Sequence, residues 1–177
     1  YYPNSLWCVD LIDMSSYEKS NQHYRYIMTI VDVFSRKIWL ERFKTKDAIS
    51  SRDALKQYIE RAGITPNNLI SDNGTEFLGE FLEFCNDEKI KQRFSRSYAP
   101  QANGIVERAN REIRKVLRAY FVQNKNRKWF QLLPSVEKNK NESYHSTMKT
   151  FPNEIWSPDK IKKKADGRKV PNNLLEY

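Results

Sequence analysis

The chain has 177 residues, 39% hydrophobic and 13% aromatic, with 31 Lys and Arg against 22 Asp and Glu and a net charge of +9. That size and composition fit one folded domain with a buried core and a tail, and argue against intrinsic disorder. No apolar run approaches the roughly 20 residues of a membrane span, Tyr1-Tyr2-Pro3-Asn4 does not open a signal peptide, and the basic excess points to a polyanionic partner or to a plain basic surface.

Residues 5–13 read as a strand, with Trp7, Val9 and Leu11 on one face and Cys8, Asp10 and Ile12 on the other. Residues 14–23 are polar and turn-like. Tyr24 to Val33 is β-rich, and Lys37 to Phe43 follows Ser35-Arg36, which makes a three-strand meander. Thr45 or Asp47 caps a helix ending near Gly63, with Ala48, Leu55, Tyr58 and Ile59 inward. Asn68 to Ser71 is a short strand stopped by Asp72-Asn73-Gly74. Residues 76–88 read as a helix and Lys91 to Arg96 as a fifth strand. A loop over Ser97 to Asn103 leads into a helix from Gly104 to Val122, and a last helix covers Arg127 to Ser143. A meander followed by alternating helices and strands predicts an α/β fold, a five-stranded mixed sheet flanked by helices. The composition turns basic after Trp156, so residues 1–156 are expected to form the core and 157–177 a basic tail or linker. The chain opens without Met, and we expect a piece excised from a longer protein.

Cys8, His23, Cys85 and His145 are too widely spread for a zinc module, so both cysteines read as buried hydrophobes in a reducing compartment. Three carboxylates carry more information. Asp10 is a charge inside an apolar strand, which is costly unless something pairs with it. Asp72 ends a strand, where open α/β sheets place functional groups. Glu107 opens the long helix, and at about 100° per residue Arg111, Arg114 and Arg118 follow it along one stripe, opposite Ala109, Ile113, Val116 and Tyr120. Each has a plain alternative: a salt-bridged strand aspartate, a turn aspartate, a solvated Glu–Arg pair. Converging, the three could hold hard divalent cations and drive displacement at phosphorus.

Trp7-x-x-Asp10, Ile30-Val-Asp-Val-Phe-Ser-Arg36, Ser71-Asp-Asn-Gly-Thr-Glu-Phe77, Tyr98 to Arg114 and Thr150-Phe-Pro-Asn-Glu-Ile-Trp156 together resemble a retroviral or retrotransposon-type integrase catalytic core. That family belongs to the Asp-Asp-Glu recombinases of the RNase H-like superfamily. The likeness spans about residues 5–156, and two of the segments resemble Maverick/Polinton or Gypsy-like elements. The resemblance implies an RNase H-like fold and metal-dependent 3′-end processing and strand transfer of mobile-element DNA. It implies that Asp10, Asp72 and Glu107 are the catalytic acids and bind two Mg²⁺ (or Mn²⁺) ions. Tyr98, Asn103, Arg111 and Arg114 fall where the family contacts DNA, and Ser97 to Asn103 on its flexible catalytic loop. Positions 73 to 106, 34 residues, separate Asp72 from Glu107, one fewer than the family's usual count, which a shorter loop before the helix accommodates. Implied partners are element ends and target DNA, a homodimer or higher oligomer, and flanking zinc-binding and C-terminal domains in the full-length protein. The implied site of action is the nucleus. The alternatives are a related Asp-Asp-Glu transposase or nuclease, and a domesticated integrase-derived protein that only binds DNA or protein.

Among the remaining signals, Asp32 reads as structural, Glu76 as a cap for the next helix, and His23 and His145 as surface residues. Trp129, Phe130, Leu132 and Leu133 read as core, or else as a homodimer face. The run Lys160 to Lys169 reads as a solvated tail, a DNA contact or a nuclear import signal.

Overall fold

Strand alternation organises the molecule. The computed structural model describes residues 2–94 and 100–156, with the backbone alone for 100–103. Strand β1 (Trp7–Asp13) lies at the centre of a five-stranded sheet of order β3-β2-β1-β4-β5. Strands β2 (Tyr26–Asp32) and β3 (Ile38–Phe43) complete the antiparallel meander. Strands β4 (Asn68–Ser71) and β5 (Lys91–Phe94) run parallel to β1, so the sheet is mixed, as expected. Ser95 and Arg96, the predicted end of β5, lie outside the described residues.

Odd positions of β1 face one layer and even positions the other. Trp7 and Val9 join Leu55 and Tyr58 of α1 (Ala48–Ala62) and Phe81 and Cys85 of α2 (Glu80–Asp87). Cys8 and Ile12 join Val106, Ile113 and Leu117 of α3 (Pro100–Asn124) and Leu133 and Val136 of α4 (Leu133–Glu142). A short α5 (Pro152–Ile155) brings Trp156 against Trp39, ring centroids 4.9 Å apart, and Trp39 in turn lies 4.7 Å from Trp7. Both cysteines are buried and free. Among the described residues, no helix is long and apolar enough to cross a membrane.

Helix α1 begins and ends where its punctuation says. Asp47 accepts a hydrogen bond from the Ser50 N–H at 2.7 Å, and Gly63 takes the left-handed conformation (φ +66°) that closes the last turn. Elsewhere the helical expectations need correction. The predicted 76–88 helix is a 3₁₀ turn (Thr75–Phe77) followed by α2, separated at Gly79, whose φ of +50° breaks the ladder. The predicted 127–143 helix is a 3₁₀ turn (Trp129–Gln131) followed by α4, which carries a proline in its first turn, where a missing N–H costs nothing. Trp129 and Leu133 are core residues there.

Two side-chain devices pin the sheet. Asp32 is fully buried and accepts from the Asn4 N–H at 2.8 Å and from the Ser35 N–H and hydroxyl at 2.7 and 2.6 Å, tying the chain start to the β2–β3 hairpin. This is the structural role expected of it. Along the outer edge of β3, Asn141 accepts from the Ile38 N–H and donates to its carbonyl, both at 2.8 Å, while Glu137 accepts from the Leu40 N–H at 2.7 Å.

Candidate active site

The parallel pairing of β1 with β4 matches Trp7 to Leu69 and Cys8 to Ile70. Continuing that register two residues puts Asp10 level with Asp72, where β4 has just ended and the strands part. Asp10 points to the same layer as Cys8 and Ile12, beneath α3. Its Oδ2 accepts from Asn110 Nδ2 at 2.8 Å and its Oδ1 from the Leu11 N–H at 2.8 Å. Burial pushes the Asp10 carboxyl above its usual range; the negative charges of Asp72 and Glu107 push the same way, against the pull of the two hydrogen bonds. The three predicted acids therefore share one electrostatic neighbourhood. Asp72 is exposed, and its Oδ1 accepts from the Gly74 N–H at 3.0 Å.

Helix α3 differs from its sequence reading in start and in phase. It begins at Pro100, not Gly104, because proline fits a first helical turn without cost. Pro100 to Asn103, assigned to the catalytic loop, thus have helical backbone. Ser97, Tyr98 and Ala99 lie outside the described residues, as does the Asn103 side chain. The buried stripe is Val106, Asn110, Ile113 and Leu117, while Val116, predicted inward, is 45% exposed. The true stripe is rotated roughly 60° from the predicted one. Its centre was missed because a polar residue, Asn110, occupies one of its four positions. That rotation has a chemical effect: Glu107, Arg111, Arg114 and Arg118 stand about a quarter turn from the buried stripe, at the sheet's margin, instead of on the far side.

These residues line one open cleft of about 510 Å³ with Asp10, Leu11, Asn110 and Lys115. Two acids and four cations thus line the same cleft, and arginine matches phosphate in bidentate geometry. Sequence reasoning missed Asn110 and Lys115. A lone polar residue inside an otherwise apolar helical stripe was the signal for Asn110; Lys115 gave none beyond its charge. Arg114 also helps hold Asp13 below the usual carboxylate range: burial opposes the shift, while the Ser15 hydroxyl and N–H, Arg25 and Arg114 outweigh it.

Other assignments resolve differently. Glu76 does not cap α2; it is buried in the 3₁₀ turn and paired with Lys46 at 3.1 Å. His23 is exposed, whereas His145 is half-buried and accepts from the Met148 N–H at 3.3 Å.

The donor chemistry fits hard divalent cations: the acids offer oxygen ligands only, and the charges of Asp72 and Glu107 bear on half-buried Asp10. Asn110 Oδ1, buried in the same place, has no hydrogen-bond partner among the described residues. As the side chains stand, no three-member group of acid, His or Cys residues closes on one point among the described residues.

The family described as Integrase core domain matches residues 1–100. A transposon-derived protein of Caenorhabditis elegans is 29% identical over 133 residues, covering 73% of this chain and 45% of the relative. The Pro-Pol polyprotein of Simian foamy virus type 1 is 30% identical over 133 residues, 75% of this chain and 11% of the polyprotein. The chain thus spans under half of the first relative and about a ninth of the second. Among solved structures, the integrase catalytic core domain of HTLV-2 in complex with magnesium, in a trimeric form, superposes with a TM-score of 0.72. It is 24% identical, and the match covers 88% of this chain and 98% of that one, a likeness of fold: the mixed five-stranded, RNase H-like sheet with flanking helices.

Proposed function

The chain belongs to the integrase core domain family, and on that premise we propose that it is a metal-dependent polynucleotidyl transferase that trims the 3′ ends of mobile-element DNA and joins them to target DNA. The observation that supports this reading is that Asp10 and Glu107 line one cleft with four cations, while Asp72, outside that lining, follows the end of β4 and its charge acts on Asp10. Asp10, Asp72 and Glu107 would hold two Mg²⁺ or Mn²⁺ ions; the relative solved with magnesium supports that choice. Bound there, such ions supply Lewis-acid stabilisation of the attacking and leaving oxygens of an in-line displacement.

The chain's own residues do the rest. Asn110 and the Leu11 N–H each hold one oxygen of Asp10 and so fix its carboxylate. Arg111, Arg114, Lys115 and Arg118 hold the phosphodiester backbone along α3, and the first of these meets it nearest to Glu107. Tyr98 and Asn103 are assigned to the DNA end on the family resemblance. The nucleophile is water in end trimming and a DNA 3′-OH in joining, and no covalent enzyme intermediate is needed.

Residues 1–156 are assigned as the core and 157–177 as a basic tail or linker. Self-association, element and target DNA, flanking domains and action in the nucleus belong to the same proposal. The trimeric form of the HTLV-2 core supports a multimer.

Incubating the full-length protein with labelled duplexes in Mg²⁺ or Mn²⁺ tests the reading. Joined strands are expected. Cut ends alone would favour a nuclease, and unaltered DNA with retained binding would favour a domesticated binding module. Arg111→Ala should weaken DNA binding and lower the slope of log affinity against log salt by about 1, as loss of one phosphate contact requires. An unchanged slope would assign Arg111 to structure.

A further inference from the structure

Glu76 lies four residues after Asp72, is only 2% exposed, and is outside the cleft lining. A carboxylate is placed there at a cost unless it has a partner. Its partner is Lys46, from the β3–α1 connection, whose Nζ lies 3.1 Å from Glu76 Oε1 while its side chain is 49% exposed. Gly74 supplies the seat: a Cβ on that residue would lie 2.5 Å from the Glu76 carboxyl carbon and 2.5 and 2.6 Å from its two oxygens. The same Gly74 donates its N–H to Asp72. One turn therefore carries both the exposed acid and the seat of the buried one.

Lys46 is within electrostatic reach of both. The hydrogen bond to Glu76 is the largest influence raising its proton affinity, and the charge of Asp72 adds to it. A lysine on a four-carbon stem, held by Glu76 on the turn that also carries exposed Asp72, is free to turn toward that acid once Glu76 lets it go. An ammonium paired with Asp72 would compete with any cation for the same oxygens. Glu76 is the better partner because its attraction acts in a drier setting, where a charge pair is stronger and less screened by salt.

We propose that Glu76 is a positioning residue that holds the Lys46 ammonium off Asp72 and so keeps Asp72 open to a divalent cation. The inference rests on the reading of Asp72 as a metal ligand. Gly74 is part of the device, since a Cβ there would force the end of the Glu76 side chain to move from its place beside Lys46.

The test is Mn²⁺ titration of the 177-residue chain, followed by water-proton relaxation, with thermal melting as a check of fold. Glu76→Gln should weaken Mn²⁺ binding about tenfold. Adding Lys46→Met should restore it to within about threefold of the unaltered chain, because the competing ammonium is gone. Gly74→Ala should behave like Glu76→Gln and be rescued by the same second substitution, which keeps the test available if Glu76→Gln melts too low. A double variant as weak as the single one overturns the proposal, since loss of turn packing alone gives that result. Unchanged binding in both Glu76→Gln and Gly74→Ala overturns it as well. Asp72→Asn separates the two layers: if it leaves Mn²⁺ binding intact, the metal-site reading falls and takes the inference with it. If it abolishes binding while the Glu76 series stays flat, only the inference falls.

Discussion

Asp10→Asn should lower strand transfer by at least about 10³-fold while leaving the chain folded. Asp10 is the most confined of the three acids, held by Asn110 and Leu11 and crowded by Asp72 and Glu107. Burial raises its folded-state pKa, so the metal-free fold binds this proton more tightly than the unfolded chain does. Its contribution to stability is full below the unfolded value and is lost as pH rises through the folded one. At neutral pH the metal-free fold therefore carries the ionised group at a cost, and an asparagine relieves that cost while giving up one hydrogen bond. Melting in the absence of metal should move little, whereas Mg²⁺ should raise the melting temperature of the unaltered chain and not of the variant. Product assays that retain more than about a tenth of the activity would remove Asp10 from the ligand set. Asp72→Asn and Glu107→Gln are expected to fail in the same assay with DNA binding largely kept.

Asp32→Ala should cost about 3–5 kcal/mol of stability, the range for stripping a buried, multiply bonded charge from its donors. It would strand the Asn4 and Ser35 N–H groups inside the protein. For a chain of this size that is a fall in melting temperature of roughly 6–20 °C. Denaturant unfolding checks the figure, and a loss under about 1 kcal/mol would contradict the role assigned to this residue. The pH dependence has its own sign. Burial pushes the Asp32 carboxyl up to about 6 from 3.8, against the hydrogen bonds from Ser35 and Asn4 and the nearby Arg36 charge. The folded chain binds this proton more tightly than the unfolded one, so the stabilising contribution is complete below pH 3.8 and lost as pH rises through about 6. Asp32→Asn should remove that part of the pH profile, although the amide cannot accept from all three donors and the variant is less stable at neutral pH.

Much of the fold was legible because local and global signals agreed. Alternation in β1 assigned Asp10 to the face that α3 covers, and Asp47 and Gly63 marked both ends of α1. What was not legible in α3 has a clear cause. Apolar periodicity reports the period of a helix, but it reports the phase only when every buried position is apolar. Asn110 takes a buried position in α3 because Asp10 needs a donor, so the apparent stripe drifted toward Val116. Gly79 and Pro100 misled similarly: one broke a segment read as continuous, and the other opened a helix in a segment read as loop. The acids were found through neighbouring motif residues. The Lys46–Glu76 pair was invisible, since nothing in the sequence joins positions from two separate connections.

Asn141 and Glu137 occupy the hydrogen-bonding groups that β3 would otherwise offer to a newcomer. A second copy cannot lengthen the sheet on that flank without first peeling α4 away and leaving Leu133 and Val136 bare. On that flank strand-to-strand accretion, a one-way route to aggregate, is closed, and only reversible packing of side chains remains open to a neighbour.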